Sequence, residues 1–357
     1  MCSSPVFLPN PLFLNPKNPN RRFYREIKPT IEVPCGKCAS CLSAKQNDII
    51  ARATFASLDH YVFFCTLTYN NDSLRSFMLD GTKYEHVDIS DIQNLIKRIR
   101  RDDNRAFLGH DFKYMAFSEY GSKGHRPHWH ILFFVEKWPD DSDFTAYNMV
   151  YNNFNPVSTN KCNSVILEYW YRNYGSTRKP VKRSLLTYAS FHNQHNFDFS
   201  QVLSSSGNSA GFYASKYTLK PDKWLNNRIN WLLGHSLNYP DKNNPYYDAY
   251  LKIRPVRLFS KNLGVSSKNL RFLEDSISSS FNPVMVSPRY CSPVDGKLYT
   301  VPFYYRRKLF NEYKDVLFQN GYFSDSQLDI FKSLEISEKT EKKCKKSLEI
   351  LQKNLSL

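Results

Sequence analysis

Two histidines flank a tryptophan in His128-Trp129-His130, and a carboxylate, Glu119, lies a short turn upstream. Side chains alternate between the faces of a strand, so on a strand both imidazoles point the same way. Two neutral imidazoles on one face chelate a divalent ion. If the preceding residues form the other arm of a hairpin, Glu119 shares that face. Two nitrogens and one carboxylate with open positions suit Mg²⁺ or Mn²⁺ bound partly by substrate oxygens. The same three residues on the wet face of an edge hairpin would do no chemistry, so the surrounding elements decide.

A second set lies downstream. In SAGFYASKYTLK (209–220), Tyr213, Lys216, Tyr217 and Lys220 fall at i, i+3, i+4 and i+7. That spacing predicts one face of a short helix, stopped by Pro221. The two phenols then stand about 6 Å apart along the axis. A phenol of pKa about 10 is a poor nucleophile at neutral pH. A neighbouring ammonium favours phenolate, and a metal that polarises a scissile phosphate lowers the demand on it. Attack on a phosphodiester would leave a covalent tyrosyl-phosphodiester and conserve the energy of the broken bond for rejoining. An amphipathic helix using its tyrosines as core contacts would show the same spacing. A third set, Cys35, Cys38 and Cys41, has C-x-x-C-x-x-C spacing. Three thiolates hold Zn²⁺ if a fourth ligand such as Cys65 or a histidine joins them, but the second C-x-x-C pair of a zinc module is missing, and reduced structural cysteines fit equally well.

The elements that would position these groups have clear signals. Residues 61–69, YVFFCTLTY, form a nearly continuous apolar run of branched and aromatic residues, as expected of a central strand. Residues 113–119 and 128–135 read as two more strands, joined by a turn marked by Gly121, Gly124 and Pro127. In 88–101, Ile89, Ile92, Leu95, Ile96 and Ile99 share one helical face, with Asp88 or Ser90 able to cap and basic residues in the last turn. A helix is also expected over 40–59, one or two over 140–175, and a strand near 197–203. The basic stretch after 175, and the chain from about 236, read as irregular; 327–357 reads as a charged helix or tail.

Composition narrows the class. The 357 residues hold 49 Lys and Arg against 33 Asp and Glu, a formal charge of +16, with 24 Tyr and 26 Phe. A chain this basic binds polyanions. Cations beside many rings suit single-stranded nucleic acid, where charges track phosphates and rings stack on bases. No apolar run approaches the 18 or so residues of a membrane span, and the proline-broken N-terminus does not read as a secretion signal, so a cytosolic protein with reduced cysteines is expected. Neither a P-loop nor a G-x-G-x-x-G fingerprint occurs.

Taken together, TLTY at 66–69, SEYG with RPHWHILFF at 118–134, and YASKYTLK at 213–220 resemble the three motifs of HUH endonucleases that initiate rolling-circle replication. The paired tyrosines, the early P-C-G-K-C-A-S-C and the late RPVRLFSKNLGVSSKNL resemble in particular the initiators of microviruses of the gokushovirus branch. The resemblance implies an α+β fold: an HUH core with a central antiparallel sheet of about five strands flanked by helices, plus N- and C-terminal extensions. The expected domains are an arm with the Cys cluster (1–45), the endonuclease (46–235) and a basic C-terminal region (236–357). It further implies Glu119, His128 and His130 as ligands of Mg²⁺ or Mn²⁺, Tyr213 and Tyr217 as alternating nucleophiles, and Lys216 and Lys220 orienting phosphate or water. The implied partners are single-stranded and origin DNA and the host DNA polymerase and helicase, in the host cytoplasm, with no membrane. A relaxase or single-strand transposase shares this chemistry, but relaxases carry their tyrosine near the N-terminus, whereas here it follows the histidines. A non-catalytic basic single-stranded nucleic-acid-binding protein is the reading from a different class.

Overall fold

A computed structural model describes residues 3–17, 27–36, 38–121, 124–137, 168–176, 179–186, 197–201, 223–239, 243–279, 289–294, 296–302, 304–306 and 308–309. The described residues of Met1–Phe55 and Gly264–Leu357 form one compact unit; those of Ala56–Ala210 and Pro221–Leu263 form another. The chain is mixed α and β. Helix α1 (Ala39–Asp59) runs into strand β1 (His60–Leu67), which is followed by helix α2 (Ile89–Arg101). Strands β2 (Phe112–Tyr120) and β3 (Pro127–Glu136) form the expected hairpin, and β4 (Phe197–Gln201) comes next. Helices α3 (Lys223–Leu237) and α4 (Pro245–Ile253) precede the short strand β5 (Arg257–Phe259), and α5 (Ser267–Ser279) follows it. The central sheet has five strands in the order β4-β1-β3-β2-β5, and every neighbouring pair is antiparallel.

The period of two sorts the sheet into two faces. Tyr61, Phe63, Cys65 and Leu67 of β1 and Trp129, Ile131, Phe133 and Val135 of β3 belong to one core cluster with Ile92, Leu95, Ile96 and Ile99 of α2. Those four α2 positions are the stripe that the helical period places on one side, and all are buried. Each contributes about 1.5–3 kcal/mol by leaving water. Asp88 caps the helix, its carboxylate accepting the Ser90 N–H at 2.9 Å. His128, His130, Leu132 and Phe134 point to the other face. A second cluster gathers Tyr84, Tyr120, Leu225, Leu232, Ala249 and Ile253, joining the hairpin Arg75–His86 to α3 and α4. In the other unit, Phe55 meets Phe272 and Tyr290 at centroid distances of 6.1 and 5.4 Å. Gly264, at φ +72, lies so near the Arg52 carbonyl that a Cβ would stand 2.6 Å from it.

Two expectations need correction. The YRNYG segment does not end a helix: Tyr171–Ser176 is a strand paired with Lys179–Ser184, so the basic stretch is the second arm of a hairpin. The left-handed Gly175 at φ +88 lets the first arm enter its turn. Residues after 236 are not irregular either. Pro245 follows Asn244, whose side chain accepts the N–H groups of Tyr246 and Tyr247, so a strong N-terminal signal opens α4. The helix expected at 209–220, with Tyr213, Lys216, Tyr217 and Lys220, lies outside the described residues, as do most of 140–175 and the tail at 327–357.

Candidate metal centre

The β2–β3 register places Glu119 directly opposite His128 and Phe117 opposite His130. On the other side of β3, Thr66 of β1 stands opposite His130. Equal register means a shared face, so Glu119, His128, His130 and Thr66 converge from three adjacent strands of one sheet. The donors are close. His128 Nε2 lies 3.0 Å from His130 Nε2, and the Glu119 carboxylate lies 2.8 Å from His130 Nε2 and 4.0 Å from His128 Nε2. A circle through three atoms at these separations has a radius of about 2.0 Å, the bond length of Mg²⁺ or Zn²⁺ to oxygen and imidazole nitrogen. The donor set therefore fits one divalent ion without rearrangement. The mix of two nitrogens and one carboxylate oxygen suits Mg²⁺, Mn²⁺ or Zn²⁺, and the spacing does not choose among them.

The other nitrogen of each ring is already committed. His130 Nδ1 is 3.0 Å from the Thr66 hydroxyl, and His128 Nδ1 is 3.0 Å from the Arg126 carbonyl. A carbonyl only accepts, so His128 Nδ1 carries the proton and Nε2 keeps its lone pair toward Glu119. The same tautomer at His130 follows if Thr66 accepts. The Arg126 carbonyl is held in turn by the hairpin turn, where it accepts the Gly121 N–H at 3.0 Å. Phe64 stacks on His130 with centroids 5.3 Å apart, which limits tilting of the ring. All three side chains are only 11–16% exposed, so their charges are weakly screened.

Beneath this face lies a buried polar network that sequence alone does not reveal. The indole of Trp129, between the two histidines, donates to the Tyr69 hydroxyl at 2.9 Å, and Tyr69 donates to Asp91 at 2.9 Å. Arg172 grips Asp91 with two N–H groups, at 2.7 and 2.5 Å, and donates a third to the Ser73 carbonyl at 2.6 Å. The chain of contacts fixes the backbone of the histidine strand from its core side. It also removes Tyr69 from the list of nucleophiles. Burial pushes the Tyr69 phenol well above its ordinary value, the Asp91 charge adds to this, and the ring belongs to the core cluster on the face opposite the histidines.

Two outcomes follow from these contacts. Thr66→Val keeps the shape and removes the hydroxyl that orients His130; Mn²⁺ titration by calorimetry should show about 10–100-fold weaker binding. Unchanged affinity would mean that the hydroxyl does not position the ring. Asp91→Ala leaves the Arg172 guanidinium, 11% exposed, without its carboxylate. Chemical denaturation should report a loss of about 3–5 kcal/mol, while the double change Asp91→Leu with Arg172→Met should lose less. A double variant as unstable as the single one would show that the packing, not the stranded charge, was limiting.

Comparison with known proteins reaches the same region of the chain. The model of the replication-associated protein family ORF2/gene 2 protein matches residues 62–222. The chain is 31% identical over 126 residues to Replication-associated protein ORF4 of Chlamydia phage 1, a stretch covering 35% of this chain and 29% of that protein. It is 34% identical over 114 residues to Replication-associated protein VP4 of Bdellovibrio phage phiMH2K (30% and 33%). Over 107 residues it is 35% identical to Replication-associated protein ORF2 of Spiroplasma virus 4 (29% and 31%). The matched stretches span about a third of the length of these relatives. No solved structure matches. Among the described residues no helix is long and apolar enough to cross a membrane.

Proposed function

From the similarity of residues 62–222 to the replication-associated proteins of microviruses as premise, we propose that this chain initiates phage DNA replication by nicking and rejoining single-stranded origin DNA. The convergence of Glu119, His128 and His130 on a circle of metal-bond radius supports the reading most directly. A divalent ion bound there, Mg²⁺ or Mn²⁺, would polarise the scissile phosphate and offset charge that develops on its oxygens.

The chain's own residues do the rest. Glu119, through its charge, and the two imidazoles, through fixed tautomers, present an acceptor set aimed at one point. Lys216 or Lys220 holds the adjoining phosphate and favours the phenolate of its tyrosine neighbour. The Tyr213 or Tyr217 oxygen attacks phosphorus; its bond to the 5′ phosphate forms as the bond to the 3′ oxygen breaks. The phenol proton leaves, and the departing oxygen takes up a proton to become a free 3′ hydroxyl, from which host polymerase extends. Reversal of the same exchange by that hydroxyl, or by another, rejoins the strand without an external energy source. The basic surface of the chain supplies sequence-independent affinity for the phosphate backbone.

The test is a nicking assay on single-stranded phage origin DNA with Mg²⁺ or Mn²⁺. The expected result is a protein–DNA adduct that survives a denaturing gel and disappears with a chelator. Tight binding of the same DNA with neither cut nor adduct would instead make the chain a non-catalytic binder.

A further inference from the structure

The cysteine cluster at the start of α1 is not used by the chemistry above. The sulfur atoms of Cys35, Cys38 and Cys41 lie within 4.8 Å of one another, and none of the three is in a disulfide. Three sulfurs bound to one tetrahedral ion at about 2.3 Å would be about 3.8 Å apart. The cluster is therefore within a side-chain rotation of a coordinating triangle.

The local backbone is shaped for thiolates. Gly36 takes φ +74, which turns the chain back so that the Cys38 N–H donates to the Cys35 sulfur at 3.4 Å. The Cys38 sulfur lies 3.2 Å from the Ser40 hydroxyl. Cys41 sits in the first turn of a helix of 21 residues, where free N–H groups and the helix dipole favour negative charge. Lys45, one helical turn further on, donates to the Gly36 carbonyl at 2.8 Å and ties the loop to the helix. Cys65, a fourth-ligand candidate from the sequence, does not join; it is fully buried in the core of the central sheet. Among the described residues no other cysteine, histidine or carboxylate joins the three.

We propose that Cys35, Cys38 and Cys41 bind Zn²⁺ through three thiolates, forming a structural site that pins the N-terminal arm to the start of α1. An all-sulfur donor set selects a soft ion, whereas the nitrogen and carboxylate set of Glu119, His128 and His130 carries no sulfur. The two sites are thus separable by spectroscopy, and neither reading depends on the other.

The full chain, purified under reducing conditions, is loaded with Co²⁺ as a Zn²⁺ substitute. A sulfur-to-Co²⁺ charge-transfer band in the near ultraviolet is expected from the wild type and from the His128→Ala, His130→Ala double variant, and its loss from Cys38→Ser. Because Cys38→Ser could fail to fold, a second measurement uses the wild type alone: titration of the zinc-loaded chain with a mercurial should release about one zinc ion per chain as the thiols react. Absence of the band in the wild type, its full retention in Cys38→Ser, or no thiol-linked zinc release would each overturn the proposal.

Discussion

Replacing His128 or His130 by alanine should abolish metal-dependent nicking while leaving DNA binding almost intact. Each imidazole supplies one of three donors, and a site reduced to two holds its ion far more weakly. Several kcal/mol of transition-state charge stabilisation go with the ion; a loss of about 4 kcal/mol slows the cut roughly 10³-fold. DNA affinity rests on Lys and Arg contacts to phosphates, which neither substitution touches, so retention of origin DNA should stay within about threefold of wild type. His130→Ala also removes the partner of the buried Thr66 hydroxyl and the ring stacked on Phe64, so a modest fall in stability of about 1–3 kcal/mol accompanies it. His128 makes its Nδ1 contact to a turn carbonyl, and its loss should be milder. Glu119→Gln, which keeps the shape and removes the charge, should resemble the histidine variants in rate. Wild-type nicking by either histidine variant would remove this centre from the mechanism.

That centre is legible in the sequence because it is built from short-range rules. Alternation along 113–119 and 128–135, with Gly121, Gly124 and Pro127 between them, gives a hairpin, and a hairpin makes Glu119 and His128 neighbours. The stripe of α2 is equally plain, since four apolar residues at helical spacing leave one way to bury them. What escapes the sequence depends on residues far apart in it. Arg172 and Asp91 meet across 81 positions, and no periodicity announces the pair. Thr66 is visible as part of TLTY, but its role as partner of His130 exists only once β1 lies beside β3. Tyr171–Ser176 reads as a helix end because aromatic residues fit both strands and helices, and the strand is stabilised by pairing with Lys179–Ser184 rather than by its own propensity.

The tyrosine pair leads to the other large effect. Rolling-circle replication needs two cuts per cycle, one to begin and one to release the unit circle. After the first cut one tyrosine is occupied by its own covalent product. A second nucleophile one helical turn away, about 6 Å along the axis, can reach the same phosphate position in its turn. Tyr213→Phe and Tyr217→Phe should therefore each retain a first cleavage of an oligonucleotide, with the adduct on the surviving tyrosine. Each should fail to release and circularise unit-length strands efficiently, and the double variant should form no adduct. Phenylalanine keeps the ring and its packing, so a loss in the double variant reports the hydroxyls and not the fold; circular dichroism and origin retention should match wild type. Peptide mapping of the adduct decides between two nucleophiles and one. If every adduct maps to Tyr213, and Tyr217→Phe still releases full circles, then Tyr217 is a packing residue. The same variant series in place of Lys216 and Lys220 separates the roles further. Lys216→Met should slow adduct formation on either tyrosine by weakening both phosphate capture and phenolate formation, and raising the pH should recover part of the second effect because it supplies phenolate without the ammonium.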